Sequence, residues 1–253
     1  MITKRAFTVT ELLVVIAVIA ILAALLLPAL RNAKAKGTRT VCMNNLREVN
    51  RGLRMYTDDF SDWSPSTPTT NKSPSLHNMV AFTGFKKLIK ANVGLNTAPS
   101  SKDRVFGCPA DLFYYDLRLG GDGYVQRGFR DESFSDYSSY GFNAGTTNPV
   151  LASNTPGLAG KKVSSVREPA KTVLVAELSS LFPWSWHEAK QPLAVENAVF
   201  NDAKNMMSFV DGHVSYIKIF WNSNRIESGG ISYVRNAADY DPPVGYDYKW
   251  SAE

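Results

Sequence analysis

Cysteine and histidine are scarce in this chain of 253 residues, which holds two of the former (Cys42, Cys108) and three of the latter (His77, His187, His213). Two cysteines exclude a disulfide-dense scaffold and a four-cysteine zinc site. Three histidines argue against a histidine-rich metal centre. Catalytic signatures are missing too, with no G-x-S-x-G, H-E-x-x-H or P-loop pattern anywhere in the chain. Asp211 and His213 flank Gly212 in a way that a turn explains by itself, so no enzymatic activity is expected. An apolar content of 44% excludes a disordered chain.

The large C-terminal part lacks an excess of either charge. The net of +5 is concentrated in residues 31–54, which carry Arg31, Lys34, Lys36, Arg39, Arg47, Arg51 and Arg54 against Glu48 alone, whereas residues 55–253 carry a net of −2. A basic cluster beside an apolar run reads as a contact with lipid phosphates or with acidic neighbours, and a nucleic-acid partner is not expected.

What is abundant is an uninterrupted apolar run. From Leu12 to Leu30 there is no polar or charged residue. Nineteen helical residues rise about 28 Å, close to the hydrocarbon thickness of a bilayer, and Pro28 is expected to loosen the helix near its end. A wholly buried core helix is one reading. A secretory signal with an Ala33-Lys34-Ala35 cleavage site is a second, although the run exceeds the usual length. A plain signal anchor is a third, and four basic residues after the span against two before it would then put the N-terminus outside.

A fourth reading rests on Lys4-Arg5-Ala6-Phe7-Thr8-Val9-Thr10-Glu11-Leu12-Leu13. This segment resembles the prepilin signal of type IV pilins and type II secretion pseudopilins. The resemblance implies cleavage after Ala6 by a prepilin peptidase, N-methylation of Phe7, and an N-in orientation with an extracytoplasmic head. The family carries Gly where this chain has Ala6. Glu11 adds a physical argument, because a carboxylate one turn into an apolar helix is costly to bury without a partner. The α-amino group of a mature Phe7, in the same subunit or a neighbour, would be that partner and would fix axial register in a fibre.

Beyond Pro28 the apolar positions narrow to one stripe. Cys42, Leu46, Val49, Leu53 and Tyr56 recur at spacings of four and three, predicting a helix from about Phe7 to Asp58 with Gly37 and Gly52 as weak points. A weaker helical pattern covers 76–95, and residues 117–136 read as a long polar loop. Strands are expected at Ser138–Asn143, Lys171–Ala176, Met206–Val210, Val214–Ile219 and Gly230–Arg235. Asp211-Gly212 predicts a type I′ hairpin between the third and fourth. The fold expected is therefore α+β and pilin-like, with an antiparallel sheet covering the stripe. Its divisions are a leader (1–6), a membrane or fibre-core helix (7–30), an amphipathic stem (31–58) and an extracytoplasmic head (59–253).

Several head segments extend the resemblance: Cys42-Met43-Asn44-Asn45-Leu46-Arg47, Cys108-Pro109-Ala110-Asp111, Tyr140-Gly141-Phe142-Asn143 and Phe209-Val210-Asp211-Gly212-His213-Val214. In this order they are similar to a large group of pseudopilin-like proteins with a C-terminal H-X9-DG motif, abundant in Planctomycetes and Verrucomicrobia. The histidine of that motif is Asn201 here. Cys42 and Cys108 are either a disulfide closing a 66-residue separation, permitted outside the cytoplasm, or two small buried hydrophobes. No cofactor is expected, although Asp239, Asp241 and Asp247 in the tail, and Asp58, Asp59 and Asp62 after the stem, offer oxygen ligands of the kind Ca²⁺ takes. Solvated loop carboxylates explain them equally. The partners expected are pilin subunits of the same or another kind, the prepilin peptidase, a membrane assembly platform and the bilayer of the cytoplasmic membrane. The rival reading is a membrane-anchored binding module that does not polymerise and uses loops 117–136 and 222–247.

Overall fold

A computed structural model describes residues 8–66, 80–96, 98, 100–115, 124–148, 153–181, 184–188, 203–220, 226–228, 231–233 and 240–253. The chain divides into two compact units, Met1–Thr40 and Val41–Glu253. One helix, α1 (Val9–Asp59), runs through both ranges, with Pro28 inside it. In the first unit the apolar run is unburied, with Leu12, Ile19 and Leu22 each more than half exposed. This stretch, of mean hydropathy 3.1, is long and apolar enough to cross a membrane.

In the second unit, α1 turns from an apolar rod into an amphipathic one. Cys42, Leu46, Val49 and Leu53 are fully buried, the stripe that the spacing of four and three predicts. Tyr56 is only half-buried, and its place on the inner face is taken by Thr57. Gly52 proves to be a packing position more than a weak point. A Cβ there would lie 2.6 Å from Val93 Cγ1, so only glycine lets the 91–93 turn approach so closely.

The predicted helix over 76–95 is broken into α2 (Val80–Thr83), α3 (Phe85–Ile89) and a 3₁₀ turn at Ala91–Val93. Phe85 and Ile89 face the core, and Lys86 and Lys90 are buried as well. Both ammonium groups lie on Asp103 Oδ2, at 3.2 and 2.6 Å. Pairing two lysines with one carboxylate is how this short helix tolerates cations in its interior.

Ten strands are described: β1 (Tyr114–Tyr115), β2 (Tyr124–Val125), β3 (Tyr140–Phe142), β4 (Thr146–Asn148), β5 (Ser153–Thr155), β6 (Val173–Glu177), β7 (Ala203–Phe209), β8 (Val214–Ile219), β9 (Ile226–Ser228) and β10 (Ile231–Tyr233). The central sheet has the order β3-β6-β7-β8 and is antiparallel throughout. Together with α1 it makes an α+β layout. The aromatic rings of Phe85 and Phe142 stand 5.8 Å apart between helix and sheet, while Asn50 Nδ2 of α1 donates to Phe209 O of β7 at 3.0 Å.

Two expectations need correction, and one feature of the C-terminal end adds to them. The β7–β8 hairpin exists, but it is not type I′, because Gly212 alone in the turn has a positive φ, of 101°. Gly212 N donates to Phe209 O at 2.9 Å and Phe209 N to His213 O at 3.0 Å. This is a three-residue loop closed by a left-handed glycine. The Asp211 carboxylate accepts from His213 N at 3.1 Å across the loop. The loop expected at 117–136 contains β2 and two 3₁₀ turns, Phe129–Asp131 and Ser133–Ser135, with Phe129 and Ser135 buried. Finally, the C-terminal end is core: Tyr248, Trp250 and Ala252 are buried, and Asn143 Nδ2 donates at 2.8 Å to both Val173 O and Trp250 O, pinning this end to β6.

Candidate functional site

At the start of α1, Thr8 and Glu11 cap each other. The Glu11 carboxylate accepts from Thr8 N at 2.9 Å and Thr8 Oγ1 at 2.7 Å, and Thr8 Oγ1 accepts from Glu11 N at 3.2 Å. This is a capping box, and the T-x-x-E spacing that encodes it stands in the sequence. Glu11 thus has an acceptor role inside its own chain. Ala6 and Phe7 lie outside the described residues.

The head gathers its chemistry around the two cysteines. Cys42, from the first buried turn of α1, and Cys108, from the Cys-Pro turn, form a disulfide with Cα atoms 5.0 Å apart, both wholly buried. Tyr140 OH donates to Cys42 O at 3.3 Å, and Cys108 N donates to Ser139 Oγ at 2.8 Å. Against this bridge lies an ionisable pair that no local pattern announces. His187 Nε2 is 2.8 Å from Glu177 Oε1 and 3.8 Å from Cys108 Sγ. Glu177 Oε2 accepts from Met206 N at 2.9 Å, and both side chains are at most 2% exposed. Glu177 ends β6, whereas His187 follows it by ten residues in a coil. The four ligand atoms of Cys42, Cys108, Glu177 and His187 lie within 4.8 Å of one another.

Three residues beyond Cys108, Asp111 organises the facing loop. Its carboxylate accepts from Phe129 N and Arg130 N, both at 3.0 Å, and from Ser139 Oγ at 2.7 Å. Arg130 in turn donates to Cys108 O at 3.1 Å. Burial pushes the Asp111 carboxyl up to about 7, against the downward pull of those donors. The unfolded chain releases this proton near the ordinary aspartate value of about 4. The folded chain keeps it to about 7, so between those limits it binds more protons than the unfolded chain, and stability falls as pH rises. The melting temperature of the wild-type chain, measured against Asp111→Asn, is therefore expected to drop between about pH 4.5 and pH 7.5 and to level off above. A constant difference across that window would show that Asp111 does not titrate there.

The other acidic candidates do not converge. Asp239 lies outside the described residues. Asp241 caps the C-terminal end, accepting from Trp250 N at 2.5 Å, Ser251 N at 2.9 Å and the Ser251 hydroxyl. Asp247 is 89% exposed and 3.8 Å from Lys171 Nζ. Asp59 accepts from Asn92 Nδ2 at 3.3 Å, and Asp62 from Ser164 N at 3.0 Å. Asp59, Asp62 and Asp241 are thus each engaged by separate donors, and Asp247 stays at the surface, so these carboxylates share no common point. His213 stacks on Phe209 at 4.2 Å and meets Asp211 Oδ1 at 2.6 Å, half-exposed at the hairpin. A cleft of about 300 Å³ beside it is lined by Arg47, Asn50, Arg51, Arg54 and the Val210–Gly212 turn. Asn201 and His77 lie outside the described residues, and of the two described histidines it is His187 that is buried with a carboxylate. Compared with known proteins, the chain matches no family model, no curated protein and no solved structure.

Proposed function

We propose that this chain is a pilin-like or pseudopilin subunit, held in the cytoplasmic membrane by α1 with its head outside, and assembled into a fibre through that helix. The observation that carries the reading is α1 itself. One 51-residue helix leaves its first apolar turns wholly unburied and puts its later turns into the core of the head. An apolar surface of that length needs lipid or other helices around it. The resemblance around Ala6, Phe7 and Glu11 favours both in succession: bilayer first, a bundle of like helices afterwards. The arginine-lined cleft gives the head a cationic face for an acidic neighbour, and no catalytic role is assigned.

The mature N-terminus tests the processing route. N-methyl-Phe7 in the mass spectrum supports the pilin pathway, Lys36 indicates a secretory signal, and an intact Met1 indicates a plain anchor. Glu11 tests assembly, and the capping box decides which substitution to use. Glu11→Gln keeps a side-chain acceptor at the third helical position but removes the charge. Fibres seen by electron microscopy are expected to disappear with Glu11→Gln as completely as with Glu11→Ala. Fibres that persist in Glu11→Gln would leave the residue a helix cap only, and an anchored module that never polymerises would show none in the wild type.

A further inference from the structure

We propose that Cys42, Cys108, Glu177 and His187 form a four-ligand site for a zinc-type divalent ion in the dithiol state of the chain, and that metal binding and the disulfide are alternative states of one site. This goes beyond assembly and does not depend on it.

The geometry is the argument. Four donors arrive from four separate places: the first buried turn of α1, the Cys-Pro turn, the end of β6 and the 184–188 coil. Their ligand atoms fall within 4.8 Å of one another. Tetrahedral zinc, with bonds of about 2.3 Å to sulfur and about 2.0–2.2 Å to nitrogen or oxygen, sets ligand-to-ligand edges of roughly 3.3–3.8 Å. His187 Nε2 is already 3.8 Å from Cys108 Sγ and 2.8 Å from Glu177 Oε1. The sulfurs must part to about 3.8 Å, and side-chain rotation on Cα atoms 5.0 Å apart reaches that separation.

The donor set selects the ion. Two thiolates with an imidazole suit zinc and disfavour calcium or magnesium, which take oxygen. Outer contacts that orient the ligands are in place. Met206 N holds the far oxygen of Glu177, Ser139 Oγ holds Cys108 N, and the Arg130 guanidinium donates to Cys108 O. Burying an imidazole and a carboxylate beside a disulfide is costly, and a metal centre uses both.

The chemistry balances without further parts. A dithiol reductant supplies two electrons and two protons, the Cys42–Cys108 bond opens to two thiols, and the reductant leaves as its own disulfide. The divalent ion then binds both sulfurs as thiolates, releasing two protons to solvent. A disulfide-bearing oxidant reverses the sequence, forming the S–S bond and expelling the ion.

The test uses the full chain in detergent, reduced anaerobically with a phosphine and titrated with Co²⁺ alone. One Co²⁺ per chain is expected, with thiolate-to-cobalt charge-transfer bands, tetrahedral d–d absorption and displacement by Zn²⁺. The oxidised chain should bind none at this site. His187→Ala and Glu177→Gln are each expected to weaken binding at least about tenfold, and Cys108→Ser to abolish the charge-transfer spectrum of the site. A reduced chain that keeps its near-ultraviolet circular dichroism but gives no tetrahedral cobalt spectrum would overturn the proposal. So would Co²⁺ affinity unchanged in both His187→Ala and Glu177→Gln. If reduction unfolds the chain, refolding on addition of Zn²⁺ supports the site, and failure to refold refutes it.

Discussion

Replacing both Cys42 and Cys108 with alanine is expected to lower the unfolding free energy of the head by on the order of 4 kcal/mol, the chain-entropy value for a loop of this size. The bridge spans 66 residues of sequence, which include the whole segment from the end of α1 through α2 and α3 to the Cys-Pro turn. Without it, that segment is free to roam in the unfolded ensemble, and the entropy lost on folding rises accordingly. Both sulfurs sit in sites with no solvent exposure, so alanine leaves small cavities, whereas serine would add a desolvated hydroxyl in each position. The double serine variant should therefore be less stable than the double alanine. Urea unfolding of the full chain in detergent, followed by tryptophan emission, reads this as a fall in midpoint. An unchanged midpoint in the alanine variant would mean that the clasp adds nothing to stability.

Glu177→Ala is expected to cost on the order of 2–5 kcal/mol, because it leaves two buried partners without an acceptor at about 1–3 kcal/mol each. Two groups lose their acceptor at once, His187 Nε2 and Met206 N, in a site closed to water. Met206 lies inside β7, the strand between β6 and β8, so the loss is felt in the middle of the sheet. Glu177→Gln should cost clearly less, because an amide oxygen still serves one of the two donors. A double-mutant cycle with His187→Ala separates the pair from the strand contact. If the two residues stabilise each other, the double variant falls short of the sum of the singles. Thermal unfolding of the four chains measures it, and strict additivity would refute the coupling.

How much of this was legible in the sequence depends on range. Cys42, Leu46, Val49 and Leu53 are periodic, so their burial could be read four and three residues at a time. β8 has the bounds that its alternation predicts, Val214–Ile219. β7 starts at Ala203, ahead of the expected Met206. Ala203-Lys204-Asn205 has little strand preference of its own, and its conformation comes from pairing with Lys218 and Ile219 of β8. β6 carries a register shift between Val173 and Val175 that no alternation pattern contains. The hairpin turn was legible in place but not in type, because the loop takes three residues, 210–212, rather than two, and only Gly212 adopts a positive φ.

The buried cluster shows the limit of local reading most clearly. Glu177 closes a strand of otherwise apolar residues, and His187 stands in a coil. Neither has a spacing to Cys42 or Cys108 that resembles a ligand motif. Only the folding of α1, the Cys-Pro turn and β6 onto one another brings them together. Thr8 and Glu11 are the opposite case. Their capping box is written three residues apart, and it places on Glu11 a role that the charge argument alone did not consider.

Cys42 is the first buried position along α1, and in mechanical terms that fixes where load enters the head. Tension drawn along the helix reaches a covalent bond at its first fully buried position. With Cys42 joined to Cys108, the strain crosses directly to the Cys-Pro turn, and residues 43–107 stay out of the stretched path. A chain pulled by α1 thus yields less length than one in which the bridge is open.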